Sequence, residues 1–171
     1  MKAKIGTSLI LLSLLVLTGC LTIAGLIRGE PDISGYIMDE GVHEILVVST
    51  EPADYSETGG TEEFYDAVWV SRVTESTEIG DYVEVWFDGG VETSYPAQAA
   101  MEKLEIIEPD QPQGADLTES EALRKALAQE PFEEEVLTVM SLSYDESVDE
   151  WTVELRNTNS YEDTTIEVED E

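Results

Sequence analysis

This 171-residue chain contains one cysteine, Cys20, and one histidine, His43. A single thiol excludes an intrachain disulfide, so apolar burial and hydrogen bonding must hold the fold together. The same scarcity excludes a His-rich or thiolate zinc centre. Bases are also few: eight Lys and Arg face 39 Asp and Glu, for a formal net charge of −31. A surface of that sign repels phosphate backbones, so nucleic acid is excluded as a partner. The acids are spread along the chain rather than gathered in one block. They are read as a device for solubility at high ionic strength, where counterions screen carboxylates over a few ångströms. No glycine-rich phosphate loop is present, because Gly59-Gly60 and Gly89-Gly90 lack both the spacing and the following lysine. No Gly-x-Ser-x-Gly elbow presents a serine, and a Ser-His-Asp arrangement would have to use His43, which sits beside a turn signal.

One stretch is long and apolar, and it lies at the N terminus. Lys2 and Lys4 precede the run Ile5–Leu17, and Thr18 and Gly19 lead to Cys20, the layout of an export signal. As a helix that run spans about 20 Å, short of a hydrocarbon core of roughly 30 Å. Apolar character resumes over Leu21–Ile27, so an uncleaved helix over Ile5–Ile27 is the rival reading. Leu17-Thr18-Gly19-Cys20 resembles the lipobox of bacterial lipoproteins. That resemblance implies cleavage before Cys20, a diacylglyceryl group on its sulfur, and display on the extracytoplasmic face of the cell membrane. Two acyl chains on one cysteine give a stable anchor where one would not. Residues 1–19 are then a signal peptide and 20–30 a lipidated spacer.

Beyond the spacer the pattern is one of short strands. Ile33–Met38 alternates and runs into the turn signal Asp39-Glu40-Gly41, and Glu44–Ser49 returns as an apolar run buried on both faces or nearly so. Glu51–Glu63 carries Pro52, Gly59 and Gly60 among polar residues and predicts a mobile loop. Tyr65–Ser71 and Asp81–Phe87 follow as strands, the latter with Val83, Val85 and Phe87 on one face and Tyr82, Glu84 and Trp86 on the other. Ser94–Met101 is read as a loop or short helical turn, leading to a fifth strand at Lys103–Ile107. Five short strands in this order suit a small OB-like barrel, which closes its own edges; a five-stranded sandwich is the second choice.

Several of these stretches also resemble a known family. Gly35-Tyr-Ile37, Ile45-Leu-Val-Val48, Ala67-Val-Trp-Val-Ser71, Ile79-Gly-Asp-Tyr-Val-Glu-Val-Trp-Phe87 and Ser94-Tyr-Pro-Ala-Gln98 occur in order. Together they resemble the YobA-like domain of unknown function, found in lipoproteins and secreted proteins of Bacillus and its relatives. The resemblance covers about residues 31–108. It implies a fold and an extracytoplasmic address, and it brings no catalytic residue.

Residues 109–116, with Pro109, Pro112 and Gly114, form the expected linker. Thr118-Glu-Ser-Glu121 is a capping box opening a helix over Glu119–Ala128, with Leu117 placed as a staple and Pro131 as the stop. Strands are expected at Val136–Tyr144, Trp151–Arg156 and Thr164–Val168. The whole is therefore mainly β: a barrel followed by a small α+β segment, 117–171, of one helix and a three-stranded antiparallel meander. That order resembles the small PepSY-type domain of exported bacterial proteins. A segment of this size makes a marginal core alone, so its helix is expected to pack on the barrel.

Chemistry is thinly represented. His43 is expected as an exposed turn residue. Carboxylate pairs of the glycosidase kind carry no information in so acidic a chain. Asp145–Glu150 lacks the alternating acids, central glycine and distal glutamate of a calcium loop and is read as a solvated hairpin turn. No catalytic residue, metal ligand or cofactor is therefore assigned. The informative side chains are aromatic: Tyr82 and Trp86 on the outward strand face, with Trp69 and Tyr95 nearby, suggest a binding face for a sugar, peptide or protein. The favoured reading is that the second segment's helix covers that face as an interdomain core, since exposed apolar patches are rare. The expected function is a non-catalytic binding module, anchored in the membrane by its N-terminal lipid and engaging an exported protein or a cell-wall component. A regulator or chaperone of an exported enzyme is the alternative. A carboxylate-based envelope hydrolase ranks last.

Overall fold

Alternation along β1 (Ile33–Gly41) sends Ile33, Gly35 and Ile37 inward and Ser34, Tyr36 and Met38 outward, which commits one face to a core. An exposed turn at Val42 and His43 leads into β2 (Glu44–Val48), where His43 takes a left-handed backbone conformation, φ 59°. β3 (Ala67–Ser71), β4 (Tyr82–Phe87) and β5 (Ala97–Ile107) follow. In the computed structural model, which describes residues 29–129, 132 and 135–171, the five strands close into a barrel in the order β1-β2-β3-β5-β4. Neighbours are antiparallel except β3 and β5, which run parallel with Val68 opposite Ala97 and Ser71 opposite Ala100. This is the expected OB-like barrel. A sandwich is overturned because β1 pairs with both β2 and β4, leaving no free edge. Cys20, its neighbours Leu17, Thr18 and Gly19, the rival helix over Ile5–Ile27 and the stop at Pro131 lie outside the described residues.

The barrel is filled by Ile37, Val47, Val70, Val83 and Val85, all withdrawn from water. Each such side chain contributes about 1.5–3 kcal/mol on burial, the main support of a fold without a disulfide. Strands β1 and β2 press so closely that a Cβ on Gly35 would stand 2.0 Å from the Val48 carbonyl oxygen. A bulge between Ile37 and Asp39 adds Met38 to β1 as an unpaired residue, and such bulges re-aim side chains.

The reading of Ser94–Met101 as a loop or helical turn is corrected: the strand begins at Ala97. Alanine is a weak strand former, but Ala97–Ala100 pairs along β3 and the strand continues against β4 as far as Ile107. Tertiary pairing outweighs local preference here. The loop after β2, expected to be mobile, is instead tied down. It holds a 3-10 turn at Ser56–Thr58, an Ala53–Phe64 bridge, and the Arg156 guanidinium 2.6 Å from Glu63 Oε1.

Helix α1 (Glu119–Gln129) starts as its capping box predicts. The Thr118 amide donates to Glu121 Oε2 at 2.8 Å, and the Glu121 amide donates back to Thr118 Oγ1 at 3.3 Å. The helix lays Ala122, Leu123 and Ala126 on a sheet of β6 (Leu137–Asp145), β7 (Glu150–Asn157) and β8 (Asp163–Glu169), where Trp151, Val153 and Leu155 are buried. The sheet is an antiparallel meander in the order β6-β7-β8.

The two parts share a core. Leu46, Val48 and Ala67 on the barrel's outer face are buried with Val136, beside Met38 and Trp69. Thr138 Oγ1 donates to the Ser49 carbonyl at 2.7 Å. At the other end of the seam, Gly80 (φ 93°) lets the first turn of α1 seat on the barrel, because a Cβ there would lie 2.4 Å from the Ser120 carbonyl oxygen.

Candidate functional site

Antiparallel pairing places Trp69 of β3 directly opposite Leu46 of β2, both outward. The second part of the chain covers Val48 and Ala67 but leaves a groove open beside Trp69. The cavity is about 560 Å³, within the size range of small-molecule and peptide sites. Its barrel wall is Met38, Leu46, Trp69 and Ile79, with Pro96 at the start of β5. The opposite wall is Leu127 and Ala128 of α1, Phe132, and Val136 and Leu137 entering β6. Among the described residues, the charged ones that complete it are Asp39, Glu135 and Arg124.

The charges differ in how far they are satisfied within the protein. Arg124 Nε donates to the Ile79 carbonyl at 2.8 Å, and Nη2 lies 2.8 Å from Glu78 Oε2 and 3.7 Å from Asp81 Oδ1. Arg124, the base among the described groove residues, is thus engaged by the barrel and holds α1 against it. Asp39 accepts the Glu40 amide at 2.8 Å, and Glu135 accepts Asn157 Nδ2 at 2.9 Å. Among the described residues no cation pairs with either carboxylate, so the groove is apolar with a negative rim.

The four aromatic residues of the expected binding face lie in four settings. Trp69 lines the groove. Tyr82 stacks edge-on against Tyr36, ring centres 5.0 Å apart, and borders a smaller polar hollow with Asp32, Ser49 and Asp66. Trp86 donates its indole N–H to the Gly29 carbonyl at 2.9 Å and carries Lys103 Nζ over its ring at 4.2 Å. Tyr95 packs on Phe64 and donates to the Tyr65 carbonyl at 3.1 Å. Closure explains the dispersal, since β5 lies between β3 and β4. The segment that follows the linker packs beside Trp69 through Val136, which precedes β6, and not through a helix laid over Tyr82 and Trp86.

Sequence reasoning missed Met38, Leu46, Phe132 and Val136. One signal pointed to them: Ile45–Val48 is apolar at every position, so its outer face had to be covered.

Burial shifts some ionisable groups elsewhere. Tyr36, half-buried beneath the start of α1, is pushed up to about 12 by burial first, then by the Glu119 and Tyr82 charges. Burial raises Asp66, and raises Glu119 with help from Asp110. Neither acid lines the groove. Among the described residues no group of three or more His, Cys, Asp or Glu has a geometry that holds a metal ion. Among the same residues no helix is long and apolar enough to cross a membrane. The Asp145–Glu150 turn is closed by Asp145, whose carboxylate accepts both the Ser147 amide and hydroxyl.

No curated protein and no solved structure matches this chain. Residues 34–108, the barrel from β1 to the end of β5, are similar to a family described as proteins of unknown function (DUF3221), and α1 and the second sheet lie beyond the matched residues.

Proposed function

We propose that this chain is a non-catalytic binding module held on the outer face of the cell membrane by a lipid on Cys20, and that the groove beside Trp69 receives part of a partner protein. The observation that carries the reading is the groove itself. An apolar concavity of about 560 Å³ stays open at a seam that otherwise buries its apolar residues. The address rests on the export-signal layout and lipobox of residues 1–20 and agrees with the YobA-like resemblance of the barrel. The catalytic alternative draws no support from the groove, whose walls among the described residues offer two peripheral carboxylates, Asp39 and Glu135, and no histidine.

A photoreactive residue at position 128, on the exposed side of α1, tests the binding role in intact cells. A second one at Glu154, on the exposed face of β7, serves as the reference. Capture of a defined protein from position 128 alone, lost in Trp69→Ala, is the expected result. Equal capture from both positions sinks the proposal. The N-terminal mass of the membrane-bound protein tests the anchor: it should begin at a diacylglyceryl cysteine rather than at Met1.

A further inference from the structure

We infer that the groove's partner is a cationic, apolar-faced protein segment, with apolar side chains against Trp69 and Leu46 and lysine or arginine at its margins facing Asp39 and Glu135. This rests on the groove being the binding site. Charge decides the partner's chemistry. Arg124 is already engaged by the Ile79 carbonyl and by the Glu78 and Asp81 carboxylates, whose two negative charges outnumber its single positive one and disfavour an anionic ligand there. Asp39 and Glu135 accept one amide hydrogen bond each and retain acceptor capacity for an incoming cation. The field of the whole chain has the same sign, at −31 formal charges, which accelerates encounter with a basic partner and repels an acidic one. An apolar groove beneath a negative rim selects apolar and basic character together; neither alone meets both features.

The full-length protein in detergent is titrated with three fluorescent peptides of equal length. One is an amphipathic Leu/Lys helix, one replaces its lysines with glutamates, and one replaces its leucines with serines. The Leu/Lys peptide should bind about tenfold or more tighter than either control, the scale of two exposed ion pairs against the Leu/Glu peptide and of lost apolar burial against the Ser/Lys peptide. Trp69→Ala should weaken it by about tenfold, the loss of one aromatic contact. Should Trp69→Ala unfold, Ala128→Arg fills the same groove from an exposed helix position and should weaken binding likewise. Asp39→Asn with Glu135→Gln should narrow the gap between Leu/Lys and Leu/Glu peptides.

If the Leu/Glu peptide binds equally well and still depends on Trp69, the charge inference fails while the groove reading stands. If the Ser/Lys peptide binds as tightly, or no binding depends on Trp69 or Ala128, attraction is to the acidic surface at large and both fail. Absence of any peptide binding overturns the inference, and tight binding of small organic cations alone assigns the groove to a different ligand class.

Discussion

Asp170, next to last in the chain, is buried at 4 % exposure and receives three donors. These are the amides of Asp116 at 2.6 Å and Leu117 at 2.9 Å and the Trp151 indole N–H at 3.0 Å. One carboxylate thus joins the end of the linker, the largest core side chain of the second sheet and the C terminus. Asp170→Ala leaves these buried donors unmatched and should cost about 2–4 kcal/mol in urea unfolding. Burial alone pushes this carboxyl up, but the three donors and the nearby Lys125 outweigh it and hold it below the ordinary aspartate range. Its contribution is therefore complete above the ordinary value, about pH 4, and is lost as pH falls through the lower folded value. Asp170→Asn should reduce the dependence of stability on pH in that window. The residue is invisible in the sequence, where it is one acid among 39. Only the approach of Trp151 and Leu117 distinguishes it.

At the scale of elements, the seating of α1 and the tether of the loop after β2 are two of the points where barrel and second segment are locked. Gly80 occupies a left-handed conformation beneath the Ser120 carbonyl. Gly80→Ala should destabilise by about 2 kcal/mol or more, from backbone strain and the clash together. Differential scanning calorimetry would show it as a lowered midpoint. The loop hangs on Arg156, which pairs with Glu63 and forks onto Asp163 at 2.6 and 2.9 Å, while Tyr161 donates to the Glu63 carbonyl at 2.6 Å. Arg156→Leu should accelerate proteolytic cleavage between Glu51 and Glu62 several-fold without altering cleavage elsewhere. Proline and glycines correctly marked this stretch as a loop, yet its anchors stand 93 and 98 positions away, beyond any local pattern. The start of β5 was hidden for the same reason, because alanines acquire strand structure only from β3 beside them.

Across the whole molecule, the shared core of Leu46, Val48, Ala67 and Val136 couples two parts that the sequence divides at residues 109–116. Thermal unfolding should therefore show one cooperative transition rather than two. Its midpoint should rise by several degrees between low salt and molar sodium chloride, as counterions relieve repulsion among the acids. A flat response would show that local ion pairs already balance the surface. By itself the sequence determined the strand and helix inventory, the capping box, the barrel interior and the acidic surface. Each of those follows from the spacing or composition of neighbouring residues. The tertiary structure alone decided that β5 enters between β3 and β4, that Trp69, Tyr82, Trp86 and Tyr95 part company, and that a groove opens beside Trp69. Those depend on contacts between residues far apart in the chain, and no period of 2 or 3.6 encodes which distant segment covers an apolar face.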